Sequence, residues 1–534
     1  METEFRIKTL MYELKQYKQI IIYGTGQIAR FIYPYLVRYG MKEKIFCFTQ
    51  TSKCEVEKID GIPVFQISAL NCGKTDCIVM IATSQRYVSE IRETAYNQGF
   101  TDVIALTDYC MHSDKDFLKL ETFGEYCQAI AQWYAEKYEQ SDIVSFIEKL
   151  YARGNSAYEN RDLKLIVVIC GSVLPRMGDI IRAIEGKEYR IVVLSYGTVA
   201  AYCRNALNYT RAIIYHCTCI EEMLYMALQY SPLVYYFEPS FADCLWAKIM
   251  LRNKQYFGKV VLTLYDVTND GYYGATPERL ATEKYALENA DGIVWRWYSK
   301  EYLEKKDFHF QGKSFHFLDY CSNTDMDWLK VDSEPHVLKL CMSVGCDAHF
   351  LKDEECNSNY TRMAKIDEVL DKVGNREDCI FHFYAGNLNE EGIAKCRKYE
   401  KQYKNFKMFL NTEYTALISK FREYDYACNL YIRGELPPED YFIDGTTGSS
   451  FRNYVRHSFF DYLSAGLPII ATVPQKCLDY LQQYGVVIRM DLSDLDIDYL
   501  KKNRQHYVQR VKNAVKELDI NKHIQQLIDF LNEL

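Results

Sequence analysis

The stretch SFFDYLSAGLPIIATVPQK, residues 458–476, encodes a helix, a sharp corner and a buried strand in direct succession. Apolar residues at helical spacing fill its first half, and Gly466 can take the left-handed conformation that ends a helix. Pro468 prevents the helix from resuming, and the apolar residues 469–471 then predict a short strand. Such a unit brings the acid Asp461 to the inner end of a parallel sheet, where open α/β sheets bind ligands.

Unbroken apolar runs recur along the chain on the N-terminal side of this stretch and once after it. Runs of this kind are typical of parallel strands that are covered on both faces. They form one series from Leu163 and another from His336, separated by the polar segment VDSEPH. We therefore predict an α/β protein in which a small Rossmann-like domain precedes two larger Rossmann-like domains. The expected boundaries are 1–112 for the first domain, 113–160 for a helical connector, 161–332 for the second domain and 333–534 for the third.

The composition is that of a globular protein, with 48% hydrophobic and 25% charged residues among 534. A net charge of −8 without a Lys/Arg cluster argues against nucleic-acid binding. No apolar run reaches the length of a membrane span, and the first residues lack the apolar core of a signal peptide. We expect a cytoplasmic protein, at most peripheral to the inner face of a membrane. The 19 cysteines are scattered, which favours reduced, buried thiols over a metal site.

The first domain contains a glycine pattern after its first predicted strand. Gly24 and Gly26 precede a helix, and their backbone N–H groups could approach a phosphate there. A dinucleotide site also needs an acid at the end of the second strand to hold a ribose, but that strand ends at Gln50. The order of elements resembles the nucleotide-sugar-binding domain that precedes some sugar acyltransferases. Nucleotide binding at the two glycines is implied, whereas NAD chemistry is not favoured.

The 458–476 stretch resembles the donor-binding segment of GT-B-type glycosyltransferases, which reads roughly E-Y-L-A-A-G-x-P-V-I-A-T. The resemblance extends diffusely over residues 161–534 and implies two Rossmann-like domains in GT-B arrangement, without a cofactor. In that family the acid of the segment grips the ribose of a nucleotide-sugar, and Asp461 occupies its position, followed by Gly466 at the corner.

The same resemblance implies a set of contacts to the donor diphosphate. Gly178, at the start of the helix after the first strand of the second domain, would let backbone approach it, although an ordinary helix start explains this glycine equally well. In the third domain Gly345 and Lys352 match part of the family's clamp, but its arginine is missing. Positive charge from three neighbouring residues could replace it: Arg452, Arg456 and His457.

Acids follow two of the predicted strands in the second domain. Glu238 follows LVYYF, and Asp266 and Asp270 follow KVVLT, in a stretch that resembles part of some bacterial glycosyltransferases. Acids at the carboxyl ends of strands would face an interdomain cleft and could take the proton of an acceptor hydroxyl. Each could instead cap the helix that follows.

Together these features predict a glycosyltransferase that moves a sugar from a nucleotide-diphosphate donor to a hydroxyl acceptor in cell-surface polysaccharide synthesis. The acceptor would be a saccharide, free or lipid-linked. We expect no metal, because the spacing Asp325-Met-Asp327 lies in a polar linker, where both acids should be solvated. Two alternatives remain: an NAD-dependent nucleotide-sugar oxidoreductase or epimerase, and a non-catalytic nucleotide-sugar sensor.

Overall fold

The computed structural model describes most of the chain. Outside the described part lie residues 1–9, 12, 27–28, 30–31, 34–35, 38–39, 52–56, 71, 75, 84, 107–119, 139–141, 157–160, 171–174, 197–209, 218–219, 238–242, 265–276, 297–303, 305–306, 323–324, 330–335, 345–365, 386–389, 411, 413, 430–456, 472–479 and 491–494. The described residues form three separate sheets, each built mainly from parallel strands, as the apolar runs predict.

The first sheet belongs to the N-terminal domain and has the strand order β3-β4-β2-β1-β5-β6. Its pairs are parallel except for β3 with β4. The strands are β1 Gln19–Tyr23, β2 Ile45–Gln50, β3 Lys58–Ile59, β4 Ile62–Gln66, β5 Cys77–Ile81 and β6 Val103–Ala105, with helix α1 Gln85–Asn97 between the last two. Apolar side chains cover both faces of this sheet and form two cores of its own.

The second sheet is wholly parallel, with the order β13-β12-β11-β10-β7-β8-β9. Its strands are β7 Asp162–Cys170, β8 Arg190–Tyr196, β9 Ile213–Cys217, β10 Pro232–Phe237, β11 Val260–Leu264, β12 Gly292–Trp295 and β13 Lys313–His316. The order reverses between β7 and β10, and ligands bind α/β sheets at such a reversal. The helices are α2 Phe123–Tyr138, α3 Ile143–Ser156, α4 Pro175–Glu185, α5 Ile220–Ala227, α6 Asp243–Arg252, α7 Lys254–Phe257 and α8 Pro277–Asn289.

The helices α2 and α3, in the segment expected to be a connector, pack into the second domain. Buried residues of α2, among them Phe123, Ile130 and Trp133, share a core with β7, β10 and β11. Leu150 of α3 joins the same core. The pair therefore covers one face of the second sheet as well as linking the first two domains.

The third sheet is also parallel, with the order β16-β15-β14-β17-β18-β19. Its strands are β14 Leu338–Val344, β15 Cys379–Ala385, β16 Phe406–Leu410, β17 Tyr426–Asn429, β18 Ile469–Ala471 and β19 Val487–Arg489. Here the order reverses between β14 and β17. The helices are α9 Ile366–Val373, α10 Glu390–Gln402, α11 Tyr414–Phe421, α12 His457–Ser464, α13 Ile497–Glu517 and α14 Ile520–Asn532.

The chain crosses between the second and third domains twice, and the two crossings touch. The first crossing follows β13, and the second joins α13 to α14. At Cys321 the backbone N–H donates to Leu518 O at 2.8 Å, and Ile520 N–H donates to Cys321 O at 3.1 Å, which forms a parallel bridge. Helix α14 then packs on α4 and β10 through residues such as Ile524 and Leu527. The last helix thus follows the third domain in the chain but packs on the second.

The cysteines that the structure describes are free thiols, and all of them except Cys72 are buried. Burial raises the pKa of Cys127 to about 12 and keeps that thiol protonated at neutral pH, since burial disfavours the thiolate. The expectation of reduced, buried cysteines is confirmed for this part of the chain.

Candidate functional site: the junction of the second and third domains

Helix α12 and its corner form as the sequence predicts. Gly466 has a φ of +80°, and its N–H donates to Leu463 O at 2.8 Å while Leu467 N–H donates to Tyr462 O at 2.9 Å. These two bonds are those of a Schellman motif, which satisfies the last carbonyl groups of a helix. A Cβ on Gly466 would lie only 2.7 Å from Leu329 Cδ2, so the site needs glycine for space as well as for conformation.

Tyr462 attaches α12 to the third sheet at the point where the strand order reverses. Its hydroxyl accepts the Ser343 N–H at 2.8 Å and lies 2.9 Å from Ser343 Oγ. Ser343 is the penultimate residue of β14, so the contact lies at the carboxyl end of that strand. Since α12 leads into the parallel strand β18, its first turn also lies at the carboxyl edge. Asp461, next to Tyr462, is therefore held near the usual ligand-binding edge.

Helix α4 occupies the equivalent place in the second domain, because it follows β7 at the reversal of that sheet. Pro175 begins the helix, a position where proline's missing N–H costs nothing. Gly178 is buried in the first turn, flanked by the buried Arg176 and Asp179. Both carboxyl edges thus meet at the first turns of α4 and α12.

A buried ion triad fixes the first crossing between these domains. Asp319 is 0% exposed and receives guanidinium groups from two elements, Arg176 of α4 and Arg296 after β12. Arg176 Nε donates to Asp319 Oδ1 at 2.6 Å, and Arg296 Nε lies 2.9 and 2.8 Å from the two oxygens. Arg176 Nη2 also donates to Phe317 O at 3.0 Å. Burial alone would raise the pKa of Asp319, but Arg296 and Arg176 outweigh it and lower that pKa to about 2.

His457, the first residue of α12, lies among three carboxylates at the junction. Its Nε2 is 3.5 Å from Asp461 Oδ1, one helical turn along, and 3.7 Å from Asp179 Oδ2 of the other domain. Its Nδ1 is 3.9 Å from Asp319 Oδ1. Both ring nitrogens are buried, and neither has a hydrogen-bond partner within the described part of the chain. The imidazole thus lies between Asp461 of the third domain and Asp179 of the second.

The protonation states of this junction follow from burial and neighbouring charge. Burial lowers the pKa of His457 to about 4; Asp319 acts against that shift, and Arg296 and Arg176 add to it. The ring is therefore neutral at pH 7. Burial also raises the pKa of Asp179 to about 6 although the Arg182 guanidinium favours its ionised form. Asp179 is still mostly ionised at pH 7 but takes a proton under mildly acidic conditions.

The first domain presents a neutral polar edge instead of an acidic one. Gly24 has a φ of +135°, and a Cβ there would lie 2.6 Å from Ala82 O, so only glycine fits. Gly26 faces open space. Thr25 Oγ1 donates to Gln50 Oε1 at 2.9 Å, which engages the side chain that stands where a ribose-binding acid would be expected. Nucleotide binding at Gly24 and Gly26 stays a prediction.

Several of the proposed site residues lie outside the described residues. They are Glu238, Asp266, Asp270, Gly345, Lys352, Arg452 and Arg456. Their roles as acids or as contacts to a diphosphate stay predictions. Of the others, His457 and Gly178 lie in the first turns of α12 and α4, Asp461 lies one turn further along α12, and Gly466 lies at the corner that ends α12.

Sequence reasoning missed the partners that surround His457. Arg176 and Asp179 lie close to Gly178 at the start of the same helix. Arg296 and Asp319 each lie within a few residues after a strand of the second domain. Their signal was a charged residue at a strand end or in a first helical turn, the same signal that singled out Asp266. Only the fold shows which of these charges converge.

Metal and membrane features were sought over the described residues only. In that part of the chain no group of three or more His, Cys, Asp or Glu side chains is arranged to hold a metal ion. Asp325 and Asp327 are both exposed, and the Asp325 carboxylate accepts the Asp327 N–H at 3.0 Å. Within the same part, none of the helices combines the length and apolar character that crossing a membrane requires.

Two parallel Rossmann-like domains meet at their carboxyl edges, and the last helix returns to the first of the two. This arrangement is the GT-B fold, the fold of many glycosyltransferases. Comparison with protein-family models and with curated proteins gives no match.

Solved structures with a similar chain course include several GT-B proteins. Sucrose-phosphate synthase from Thermosynechococcus elongatus is 12% identical, with 69% of this chain and 98% of that chain covered and a TM-score of 0.44. MurG from Acinetobacter baumannii is 9% identical, with 70% and 100% covered and a TM-score of 0.35. The wall teichoic acid polymerase TagF is 14% identical, with 72% and 95% covered and a TM-score of 0.36. At these identities and TM-scores, the likeness says nothing about what this chain does.

Proposed function

We propose that this protein is a glycosyltransferase that moves a sugar from a nucleoside-diphosphate donor to a hydroxyl acceptor. The observation that carries the proposal is the position of Asp461. It lies on the helix of the donor-type segment, at the carboxyl edge of the third sheet, and its Oδ1 lies 3.5 Å from the same imidazole that approaches α4 of the second domain. A donor held there would lie between the two domains.

In this proposal Asp461 accepts hydrogen bonds from the ribose hydroxyls of the donor. A hydrogen bond to an ionised carboxylate contributes roughly 1.5–3 kcal/mol. The buried apolar face of α12 and the Tyr462–Ser343 contact support this role, because they hold the helix backbone against the sheet. A carboxylate on a fixed helix needs little ordering when the donor binds, and less ordering means tighter binding.

The chemistry requires that negative charge on the leaving diphosphate be stabilised. Helix N-termini and basic side chains can do this without a metal. We assign that task to the first turn of α4 with Gly178, and to Gly345, Lys352, Arg452 and Arg456. One of the strand-end acids, Glu238, Asp266 or Asp270, would take the proton of the acceptor hydroxyl. We propose a metal-independent reaction in cell-surface polysaccharide synthesis, on a saccharide acceptor that is free or lipid-linked.

Calorimetric titration of the full chain with UDP, GDP, CDP and NAD tests this function. We expect one nucleoside diphosphate to bind and NAD not to bind. Asp461→Asn should weaken that binding by about tenfold, the loss of one charged hydrogen bond. The matched control is Asp498→Asn, because Asp498 is an exposed acid of the same domain.

Each outcome of this titration has a distinct meaning. Binding of none of the three diphosphates would refute the function, and tight NAD binding would favour a redox enzyme instead. Equal affinity in Asp461→Asn and in the control would refute the role of Asp461 while leaving the donor class standing. Repeating the titration with a chelator present tests metal independence, since a metal-dependent site would lose affinity.

A further inference from the structure

His457 lies where two domains meet, with its side chain 12% exposed. Both ring nitrogens are shielded from water, yet neither has a hydrogen-bond partner among the residues that the structure describes. Buried polar atoms are nearly always hydrogen-bonded, because an unmade bond is costly. His457 retains this energetic cost although three carboxylates lie within 4 Å of its ring nitrogens. It is therefore a candidate for a functional role.

The position of the imidazole defines the carboxylates to which it can donate a hydrogen bond. Nε2 points toward Asp461 Oδ1 on its own helix and toward Asp179 Oδ2 on α4, at 3.5 and 3.7 Å. Both distances exceed a normal N–H···O bond by about half an ångström or more. A small rotation of the imidazole would complete the bond to Asp461 on the same helix, whereas the bond to Asp179 would need a shift of α12 against α4. A neutral ring has only one N–H to donate.

The surroundings argue against a role for His457 as a positive charge. Arg176 and Arg296 converge on Asp319 beside the ring, so the nearest acid on the Nδ1 side is already neutralised. Burial acts in the same direction and keeps the pKa of His457 at about 4. A neutral imidazole cannot replace the missing arginine of a diphosphate clamp, but it can orient a carboxylate.

We propose that His457 is a positioning residue that donates its Nε2–H to Asp461 and fixes that carboxylate for the donor ribose. The inference rests on the proposed function, because that proposal supplies the nucleotide-sugar donor that Asp461 binds. The ring also lies 3.7 Å from Asp179 Oδ2 of the second domain, so its place beside Asp461 depends on the packing between the domains. His457 itself does not touch the donor.

The test is a double-mutant cycle on the full chain, with whichever of UDP, GDP or CDP binds the wild type as the probe. His457→Leu removes the donor N–H, and His457→Gln keeps an N–H close to the place of Nε2. We expect His457→Leu to weaken diphosphate binding by about tenfold and His457→Gln to stay within about threefold of wild type. The control is His506→Leu, the same change at an exposed histidine of α13, which should leave affinity unchanged.

The cycle with Asp461→Asn separates positioning from a general structural role. If His457 acts through Asp461, adding His457→Leu to Asp461→Asn should cost no further affinity. Additive losses, or no rescue by His457→Gln, would overturn the inference while the wild type still binds diphosphate. If the wild type binds none of the probes, the proposed function fails first, and the inference falls with it. Should His457→Leu fail to fold, His457→Gln decides the matter, alone and combined with Asp461→Asn. Wild-type affinity in His457→Gln supports positioning. A loss of affinity in His457→Gln that adds to the loss caused by Asp461→Asn refutes it.

Discussion

Replacing Arg296 with methionine should destabilise the junction of the second and third domains more than any comparable surface change. Methionine keeps most of the side-chain volume but removes the charge and the donors. Asp319, which is 0% exposed, would then keep Arg176 as its one cationic partner among the residues that the structure describes. Breaking one partner from a buried ion pair costs about 3–5 kcal/mol. Because Arg176 remains, we expect about 3 kcal/mol.

Thermal unfolding of the full chain measures this cost. For a domain of this size, 1 kcal/mol corresponds to a shift of about 2–4 °C, so the transition of the affected domain should fall by about 6–12 °C. The matched control is Arg190→Met, whose guanidinium pairs with Asp162 at the surface and is 71% exposed. An exposed pair contributes about 0–1 kcal/mol, so the control should shift by less than about 4 °C.

A second variant tests the physical cause of the loss. If the cost arises from an uncompensated buried charge, Arg296→Met combined with Asp319→Asn should recover part of it, since the amide still accepts from Arg176. The loss should also shrink as the pH falls toward 4, because protonation of Asp319 removes the charge in the variant. Equal shifts in Arg296→Met and Arg190→Met would refute the view that the triad holds the crossing in place.

Two further predictions concern pH and the corner of α12. An acid with a raised folded pKa stabilises the fold fully below its unfolded pKa and loses this effect as the pH rises through the folded pKa. The pKa of Asp179 is raised from 3.8 to about 6, so its carboxyl lowers the free energy of unfolding progressively over that interval and fully above about 6. His457 acts oppositely, its contribution being present above 6.5 and lost as pH falls through about 4. Asp179→Asn should therefore raise the free energy of unfolding at pH 7 by up to about 3 kcal/mol, at 1.36 kcal/mol per pKa unit. It should also make the free energy of unfolding rise more steeply from pH 4 to 6.5, where His457 acts without opposition from Asp179. Denaturant midpoints that keep the wild-type pH dependence would contradict this. Gly466→Ala should cost about 2–4 kcal/mol of stability, because the backbone is left-handed and the new Cβ would lie 2.7 Å from Leu329. The control Gly40→Ala, also at positive φ but with open space around its Cβ, should cost only about 1–2 kcal/mol. Equal shifts in melting temperature would show that packing at the corner is loose.

Much of the fold could be predicted from the sequence because its signals are local. The run at Ile469 and the glycine at 466 predict a strand and a helix end, since apolar runs and left-handed glycines act within a few residues. Successive apolar strands separated by helical segments imply parallel sheets, because parallel strands need such crossovers. For the same reason Asp461 could be predicted at the ligand-binding edge.

The composition of the junction depended on tertiary structure. Asp319 and Arg176 are separated by 143 positions, and no local pattern pairs residues at such a distance. The sequence suggested His457 as a positive charge, but burial beside two guanidinium groups makes the ring neutral, and burial is a property of the packed fold. That Asp179 meets the helix of Asp461 likewise follows only once the two sheets face each other. The chain determines its elements locally, whereas the charge state and partners of the junction arise from the packing of one domain on another.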